Sequence, residues 1–264
     1  MNPVLMLGAG RLGGALIEGW SRFGGPQAEG LMILDPAPSE AALAAVRAGA
    51  LLSPGPADLH RAQTVLLAVK PQTWREAAAA IVQDLDPRAV IVSVAAGVRA
   101  GDLSDAFGGR RVARVMPTTA VAVGRGVASL FAPEPEAAAR ARALFGPVAT
   151  VVELAEERLL HAATGVSGSA PAYFYAFVEA LEAAGVAAGL PPEASRDLAR
   201  ATMVGAAALL DASGEDPADL RRQVTSPGGT TEAALAILMG EAGLGPLLRD
   251  AVAAAARRSE ALGG

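Results

Sequence analysis

The sequence predicts an α/β chain in two parts: a doubly wound, mostly parallel sheet over residues 1–154, then an all-helical domain over residues 155–264. Three observations carry this. Short, fully apolar runs recur up to about Glu153, as strands buried on both faces require. Segments of helical spacing separate most of them, and alternating β and α argues for a parallel sheet. Beyond Glu153 no strand-like run recurs, and Ala/Leu/Glu stretches take over.

In order, Val4–Leu7 reads as the first strand, ending at Gly8, and Arg11–Phe23 as the first helix. Leu31–Leu34 is the second strand, followed by an Ala-rich helix over Ser39–Ala48. Val65–Val69, Val90–Val94 and Val112–Val115 continue the sheet, with Gly126–Phe131 and Val148–Val152 as edge strands. The helical half reads as Glu156–Ala163, Ala172–Ala188, Pro192–Leu210, Pro217–Gln223, Thr230–Met239 and Leu244–Leu262. Pro192 suits a first helical turn. Gly165, Gly168 and Pro171 are expected to break or kink the first of these helical stretches. Small residues at helical spacing suit either a self-contained bundle or a dimerisation domain in which two copies bury each other.

Composition narrows the function classes. A net charge of −5 with no basic run argues against a nucleic-acid surface. With no Cys there is no disulfide, thiolate catalysis or Cys-ligated metal. His60 and His161 have no neighbouring His or Cys, so no metal site is expected. The longest uncharged window, Ala162–Val178, is too short and too rich in Gly, Ser, Thr and Pro to span a bilayer. Met-Asn-Pro-Val-Leu has no basic segment before an apolar run, which predicts no signal peptide and a soluble, cytoplasmic protein.

Gly8-Ala9-Gly10-Arg11-Leu12-Gly13 matches G-x-G-x-x-G between the first strand and the first helix. Gly8 permits the tight turn, Gly10 lets backbone approach a pyrophosphate, and Gly13 lets helix pack on strand, as in a Rossmann domain. The helix N-terminus, with Arg11 and Leu12 in its first turn, then faces the anion. Asp35 ends the second strand; it either accepts from a ribose 2′-OH, which favours NADH over NADPH, or caps the turn before Pro36. Ala68, Val69, Lys70 and Pro71 end a central strand, where ligands bind in open α/β sheets. Lys70 is the sole lysine in a chain that otherwise uses Arg. Ala95, Ala96 and Gly97 end the next strand with room for a flat ring, and Met116-Pro117 ends another. These residues are the expected NADH or NADPH site.

Two hydroxyl- and Gly-rich segments interrupt the helical half: Thr164–Tyr173 and Val224–Thr231. At these residues the chain resembles the pyrroline-5-carboxylate reductase family over nearly its whole length. Gly8–Gly13 is similar to that family's dinucleotide loop, and Ala68-Val-Lys70-Pro71 and Ala95-Ala-Gly97-Val98 to its strand-end motifs. Ser167-Gly-Ser-Ala-Pro-Ala-Tyr173 and Val224-Thr-Ser-Pro-Gly-Gly-Thr-Thr231 are the most specific. Ala170 stands where the family usually has Gly. Met116-Pro-Thr-Thr-Ala120 stands where it often has Met-Pro-Asn-Thr-Pro, leaving Thr118 available as a hydrogen-bonding group.

The resemblance implies NAD(P)H-dependent reduction of the C=N bond of 1-pyrroline-5-carboxylate to L-proline, the last step of proline biosynthesis. It also implies a homodimer whose helical domains interlock, sometimes assembled into larger rings. Ser167, Ser226, Gly228, Gly229, Thr230 and Thr231 are the expected substrate contacts. Backbone N–H groups of Gly228, Gly229 and Thr230 at a helix start suit the carboxylate. Ser226 and Thr231 are the expected catalytic hydroxyls, with Thr231 beside the imine nitrogen. A β-hydroxyacid dehydrogenase would need a lysine in the helical domain, and none follows Lys70. A prephenate-dehydrogenase-like enzyme would need a catalytic His on a strand-end loop, and His60 lies in a weakly patterned segment. A non-catalytic dinucleotide sensor would have little use for both hydroxyl clusters.

Overall fold

The computed structural model describes residues 3–262. Met1, Asn2, Gly263 and Gly264, the outermost residues of the two expected domains, lie outside the described residues. The chain forms two compact units: one runs to Gly168 and takes back the chain from Ala254, and the other is Ser169–Ala253.

The first unit is built on eight strands: β1 (Val4–Leu7), β2 (Leu31–Leu34), β3 (Leu51–Leu52), β4 (Thr64–Leu67), β5 (Val90–Ser93), β6 (Val112–Pro117), β7 (Gly126–Phe131) and β8 (Ala149–Glu153). Their order in the sheet is β3-β2-β1-β4-β5-β6-β7-β8. The strands from β3 to β6 run parallel; β7 is antiparallel to β6, and β8 is parallel to β7. Every residue of β1, β4 and β5 is buried, which is why these strands read as unbroken apolar runs.

Three details differ from the sequence reading. Gly126–Phe131 is not an edge strand, because β8 covers it; β8 and β3 are the edges. β3 has two residues, too short to leave a pattern. β4 starts at Thr64 and ends at Leu67, so Ala68 and Val69 already belong to the strand-end turn.

Helices clothe both faces: α1 (Arg11–Phe23), α2 (Glu40–Arg47), α3 (Pro56–Leu59), α4 (Trp74–Ala79), α5 (Ala100–Ala106), α6 (Pro135–Phe145) and α7 (Leu159–Ala163). One face packs Leu16, Ile17 and Trp20 of α1 and Leu144 and Phe145 of α6 against β1, β4, β5 and β6. Trp20 Nε1 donates to the Leu144 carbonyl at 2.8 Å, fastening α1 to α6 inside that layer. The opposite face packs Trp74, Ala78, Leu103 and Phe107.

Arg110 holds the second layer together. Its side chain is buried and donates to the carbonyls of Val82, Leu85, Asp86 and Phe107. These carbonyls end the turns after α4 and the end of α5, where partial negative charge accumulates. Burial lowers the guanidinium's pKa, with nearby Asp86 opposing the shift.

Gly165, Gly168 and Pro171 do not break the chain. The stretch after α7 widens into a π-helical turn, Thr164–Gly168, and α8 (Ala170–Ala187) follows. The Thr164 and Ser167 hydroxyls bond back to the carbonyls of Leu160 and Ala163, at 2.7 and 2.8 Å. Such π turns mark sites where a local widening is tolerated for positioning.

The second unit contains α8, α9 (Pro192–Ser213), α10 (Pro217–Gln223), α11 (Thr230–Leu238) and most of α12 (Leu244–Ala261). α8 and α9 form a hairpin in which Ser195 Oγ donates to the Glu182 carbonyl and Arg200 pairs with Glu182, both at 2.7 Å. Among the described residues of this unit only Ala170, Ser195 and Ala199 are buried. Tyr175, Val204 and Ile237 are 70–79% exposed. No described helix is long and apolar enough to cross a membrane.

Replacing Arg110 by Met keeps much of the aliphatic stem but strands four buried carbonyls. The expected cost is about 2–4 kcal/mol. Urea unfolding at fixed protein concentration measures it, and a midpoint equal to wild type would show that the carbonyl cluster needs no guanidinium.

Candidate active site

The sheet order sends β2 and β3 to one side of β1 and β4, β5 and β6 to the other. The carboxyl ends of β1 and β4 therefore flank the point where the winding reverses, the usual ligand position in such sheets. Gly8 sits there with φ +90°, and a Cβ on it would lie 2.7 Å from the Ala68 carbonyl oxygen. Only glycine satisfies both the conformation and the approach. The contact joins two expected cofactor segments, Gly8–Gly13 and Ala68–Pro71.

Gly13 is as constrained: a Cβ there would stand 2.5 Å from the Gly8 carbonyl oxygen. Gly10 differs, since its Cβ would meet nothing within 4 Å. The space above Gly10 is open to a ligand. Gly10 also caps α1 without a side-chain hydrogen bond, and no acid lies in the first turn. The α1 donors therefore face that space unneutralised, as a pyrophosphate needs. Arg11 is exposed and its guanidinium has no partner among the described residues, while Leu12 packs on the core.

Asp35 is engaged at both oxygens. One accepts from Ala9 N in the glycine turn and the other from Ala37 N at 2.7 Å. Ser39 N donates to the Ala9 carbonyl at 3.3 Å and Gly8 N to the Leu34 carbonyl at 3.0 Å. The carboxylate thus caps the turn before Pro36 and also ties the end of β2 to the nucleotide turn. It remains partly exposed.

The neighbouring strand ends continue the edge. Ala68 and Val69 are half-buried and Pro71 likewise, while Lys70 is exposed with no ammonium partner among the described residues. The Lys70 carbonyl accepts from Thr73 N and Oγ1, closing the turn into α4. Ala95 and Gly97 are buried and Ala96 is half-buried; Ser93 Oγ accepts from Ala95 N at 3.2 Å. Met116 is buried at the end of β6 beside half-buried Pro117. Thr118 is buried, and its Oγ1 accepts from Val127 N at 3.1 Å, so this hydroxyl serves the β6–β7 turn.

Ser167, in the π-helical turn of the first unit, lies 3.5 Å from Ser129 Oγ on β7. The other expected substrate residues belong to the second unit, at the start of α11. Gly228 takes φ +71°, and Gly229 is the N-cap. Gly229 N donates to the Ser226 carbonyl, and Gly228 N donates to Glu232 Oε2 at 2.7 Å. Two of the three N–H groups expected to be open are therefore used within the loop. Among the described residues the N–H groups of Thr230, Thr231 and Glu232 have no acceptor, nor do the Ser226 and Thr231 hydroxyls. Thr225 Oγ1 bonds to the Arg221 carbonyl at 2.6 Å and fixes the loop's entry.

Glu232 was not anticipated. It stands at the third helical position after the Gly229 cap, where an acid folds back on the helix start, and that spacing was the available signal.

The fold and the turn at Gly8–Gly13 define a dinucleotide-dependent oxidoreductase. Residues 3–97 match the family model described as NADP oxidoreductase coenzyme F420-dependent, and residues 157–262 match that for pyrroline-5-carboxylate reductase dimerisation. A pyrroline-5-carboxylate reductase of Pseudomonas aeruginosa is 36% identical over 264 residues, covering 98% of this chain and 96% of the relative. The chain belongs to the pyrroline-5-carboxylate reductase family. Solved structures agree. That of a Coxiella burnetii pyrroline-5-carboxylate reductase is 25% identical with a TM-score of 0.89, covering 100% of this chain and 99% of that one. A Plasmodium falciparum pyrroline carboxylate reductase with NADP bound is 25% identical with a TM-score of 0.83, covering 99% and 98%.

Gly13→Ala forces α1 off the Gly8 carbonyl. NADH and NADPH should both bind at least about tenfold more weakly, the equivalent of about 1.4 kcal/mol. Nucleotide fluorescence titration measures this, and unchanged affinity would free Gly13 from its packing role.

Proposed function

We propose that this chain reduces the C=N bond of 1-pyrroline-5-carboxylate to L-proline, the last step of proline biosynthesis, in the cytoplasm. Residues 1–154 hold the cofactor, and residues 155–264 hold the substrate and the dimer partner. The observation that carries the reading is the start of α11, where open N–H groups and two unengaged hydroxyls gather on one loop.

Gly8, Gly10, Arg11, Leu12 and Gly13 receive the pyrophosphate, and Ala68–Pro71, Ala95–Gly97 and Met116–Pro117 line the nicotinamide side. A reduced nicotinamide supplies the hydride that adds to the imine carbon. The imine nitrogen must gain or arrive with a proton. Thr231 Oγ1 is placed by the first turn of α11 to hydrogen-bond that nitrogen, and Ser226 Oγ lies on the same loop. The Thr230, Thr231 and Glu232 N–H groups, at the positive end of α11, hold the substrate carboxylate. Glu232 keeps Gly228 in its left-handed conformation and so shapes the loop. Ser167 is the substrate contact from the π-helical turn. The work of these residues is positioning and electrostatics.

Asp35 stands at the end of β2, tied to the glycine turn through Ala9 N, and an acid at this position supports NADH over NADPH. A homodimer through the helical domain is supported by the exposed apolar side chains of Ser169–Ala253, which a second copy would cover.

Purified protein should consume NADH and NADPH only when pyrroline-5-carboxylate is supplied, with higher kcat/KM for NADH. Absence of turnover under conditions where a known reductase is active would overturn the activity, and an NADPH preference would remove the role given to Asp35.

Thr231→Ala should lower kcat/KM for the imine roughly 10- to 100-fold, the range expected for one hydrogen bond to developing charge. Nucleotide affinity should hold, and Thr231→Ser should restore most of the rate. Wild-type kinetics in the alanine variant would take Thr231 out of the site.

A further inference from the structure

A cleft of about 620 Å³ lies within the first unit, and no residue of the glycine turn lines it. Gly97 and Arg99 line it from the loop before α5, Arg114 from β6, Glu157 and His161 from the region of α7, and Arg257 and Glu260 from the end of α12. Its base is a buried guanidinium. The Arg114 side chain is 3% exposed, and Nη1 donates to Glu157 Oε1 at 2.9 Å. Arg114 Nε is buried without a hydrogen-bond partner among the described residues. The same Glu157 Oε1 also accepts from Ala100 N at the start of α5.

The rim is basic as well. Arg99 and Arg257 are exposed and neither guanidinium has a partner among the described residues. Arg158, also at the cleft, is taken by Glu156. His161 Nδ1 lies 3.1 Å from Ser259 Oγ, which fixes the end of α12 beside α7 and so holds Arg257 at the cleft. Glu260 is the one acid at the rim besides the engaged Glu157.

We propose that this cleft binds a tetrahedral oxyanion of the phosphate class. Arg99, Arg114 and Arg257 approach from three separate elements. A carboxylate presents its acceptors in one plane, whereas a tetrahedral oxyanion presents them in several directions, toward separate guanidinium forks at once. The volume exceeds what a bare phosphate needs and falls within the range of small-molecule pockets, so a phosphoryl group on a small organic body also fits. The cleft shares Gly97 with the proposed nicotinamide site, and it uses no residue of the Gly8–Gly13 turn or of the α11 loop.

The test is calorimetric titration of the full-length protein with inorganic phosphate, at ionic strength held constant with chloride. The glycine turn offers phosphate a site in every variant, so the reading is the loss of a second one. Wild type should show two sites, and the Arg99→Gln/Arg257→Gln double variant should lose at least about tenfold in affinity at one of them. Both side chains are exposed and unpaired, so NADH binding should be unchanged. Arg257→Glu, a single charge reversal on the surface of α12, should weaken the same site. Glycerol 3-phosphate binding more tightly than phosphate would identify an esterified ligand, and equal affinity the free ion. Identical isotherms for wild type and both variants, or acetate binding as tightly as phosphate, would overturn the proposal.

Discussion

The N-terminal half depends on one close approach, that of Gly8 to the Ala68 carbonyl. β1 and β4 are neighbours in the sheet, and their chains must part at the carboxyl end so that one can turn into α1 and the other into α4. The parting leaves no volume for a side chain at Gly8. Because Gly8 is held there, its own carbonyl falls under Gly13, and α1 starts close against the sheet with its N-terminal donors over the open space at Gly10. Asp35 adds a second restraint from β2 by accepting from Ala9. Helix start and the open space at Gly10 are consequences of one packing constraint.

The helical half obeys a different economy. Its α8–α9 hairpin closes on small residues: a Cβ at Gly185 would lie 2.1 Å from Ser195 Oγ. Close helix approach through small side chains buries little apolar area per residue, so the large side chains of α8, α9, α11 and α12 remain outward. A unit of this size with three buried residues among those described gains little from its own core. Its apolar surface is better explained as half of a shared core than as the outside of a finished one.

Much of the fold was legible in the sequence because the relevant forces act locally. β1, β2, α1 and α10 fall where apolar runs, glycines and prolines place them, since double-sided burial and helix capping leave marks within a few residues. What escaped was set by distant partners. That β7 is internal depends on β8 arriving beside it, and nothing in Gly126–Phe131 encodes its neighbour. The π-helical turn arose where Gly and Pro suggested a break, because the Thr164 and Ser167 hydroxyls bond back to the preceding turn and keep the chain helical. Arg110 and Arg114 look alike in sequence, yet one closes four carbonyls and the other faces a cleft.

The loop before α11 shows what a local pattern leaves out. A helix start with adjacent glycines suits a carboxylate, but glycine N–H groups are also the ones a tight turn consumes first. Gly229 N closes the turn on Ser226, and Gly228 N is met by Glu232. The donors left over belong to the first residues of α11, whose N–H groups point along the helix axis and have no acceptor within the helix. A carboxylate held by those groups lies on the axis, next to the Thr231 side chain, rather than over the glycines. The glycines therefore bend the chain so that α11 can present its end, and the Thr231 hydroxyl is carried by the same turn that presents these donors.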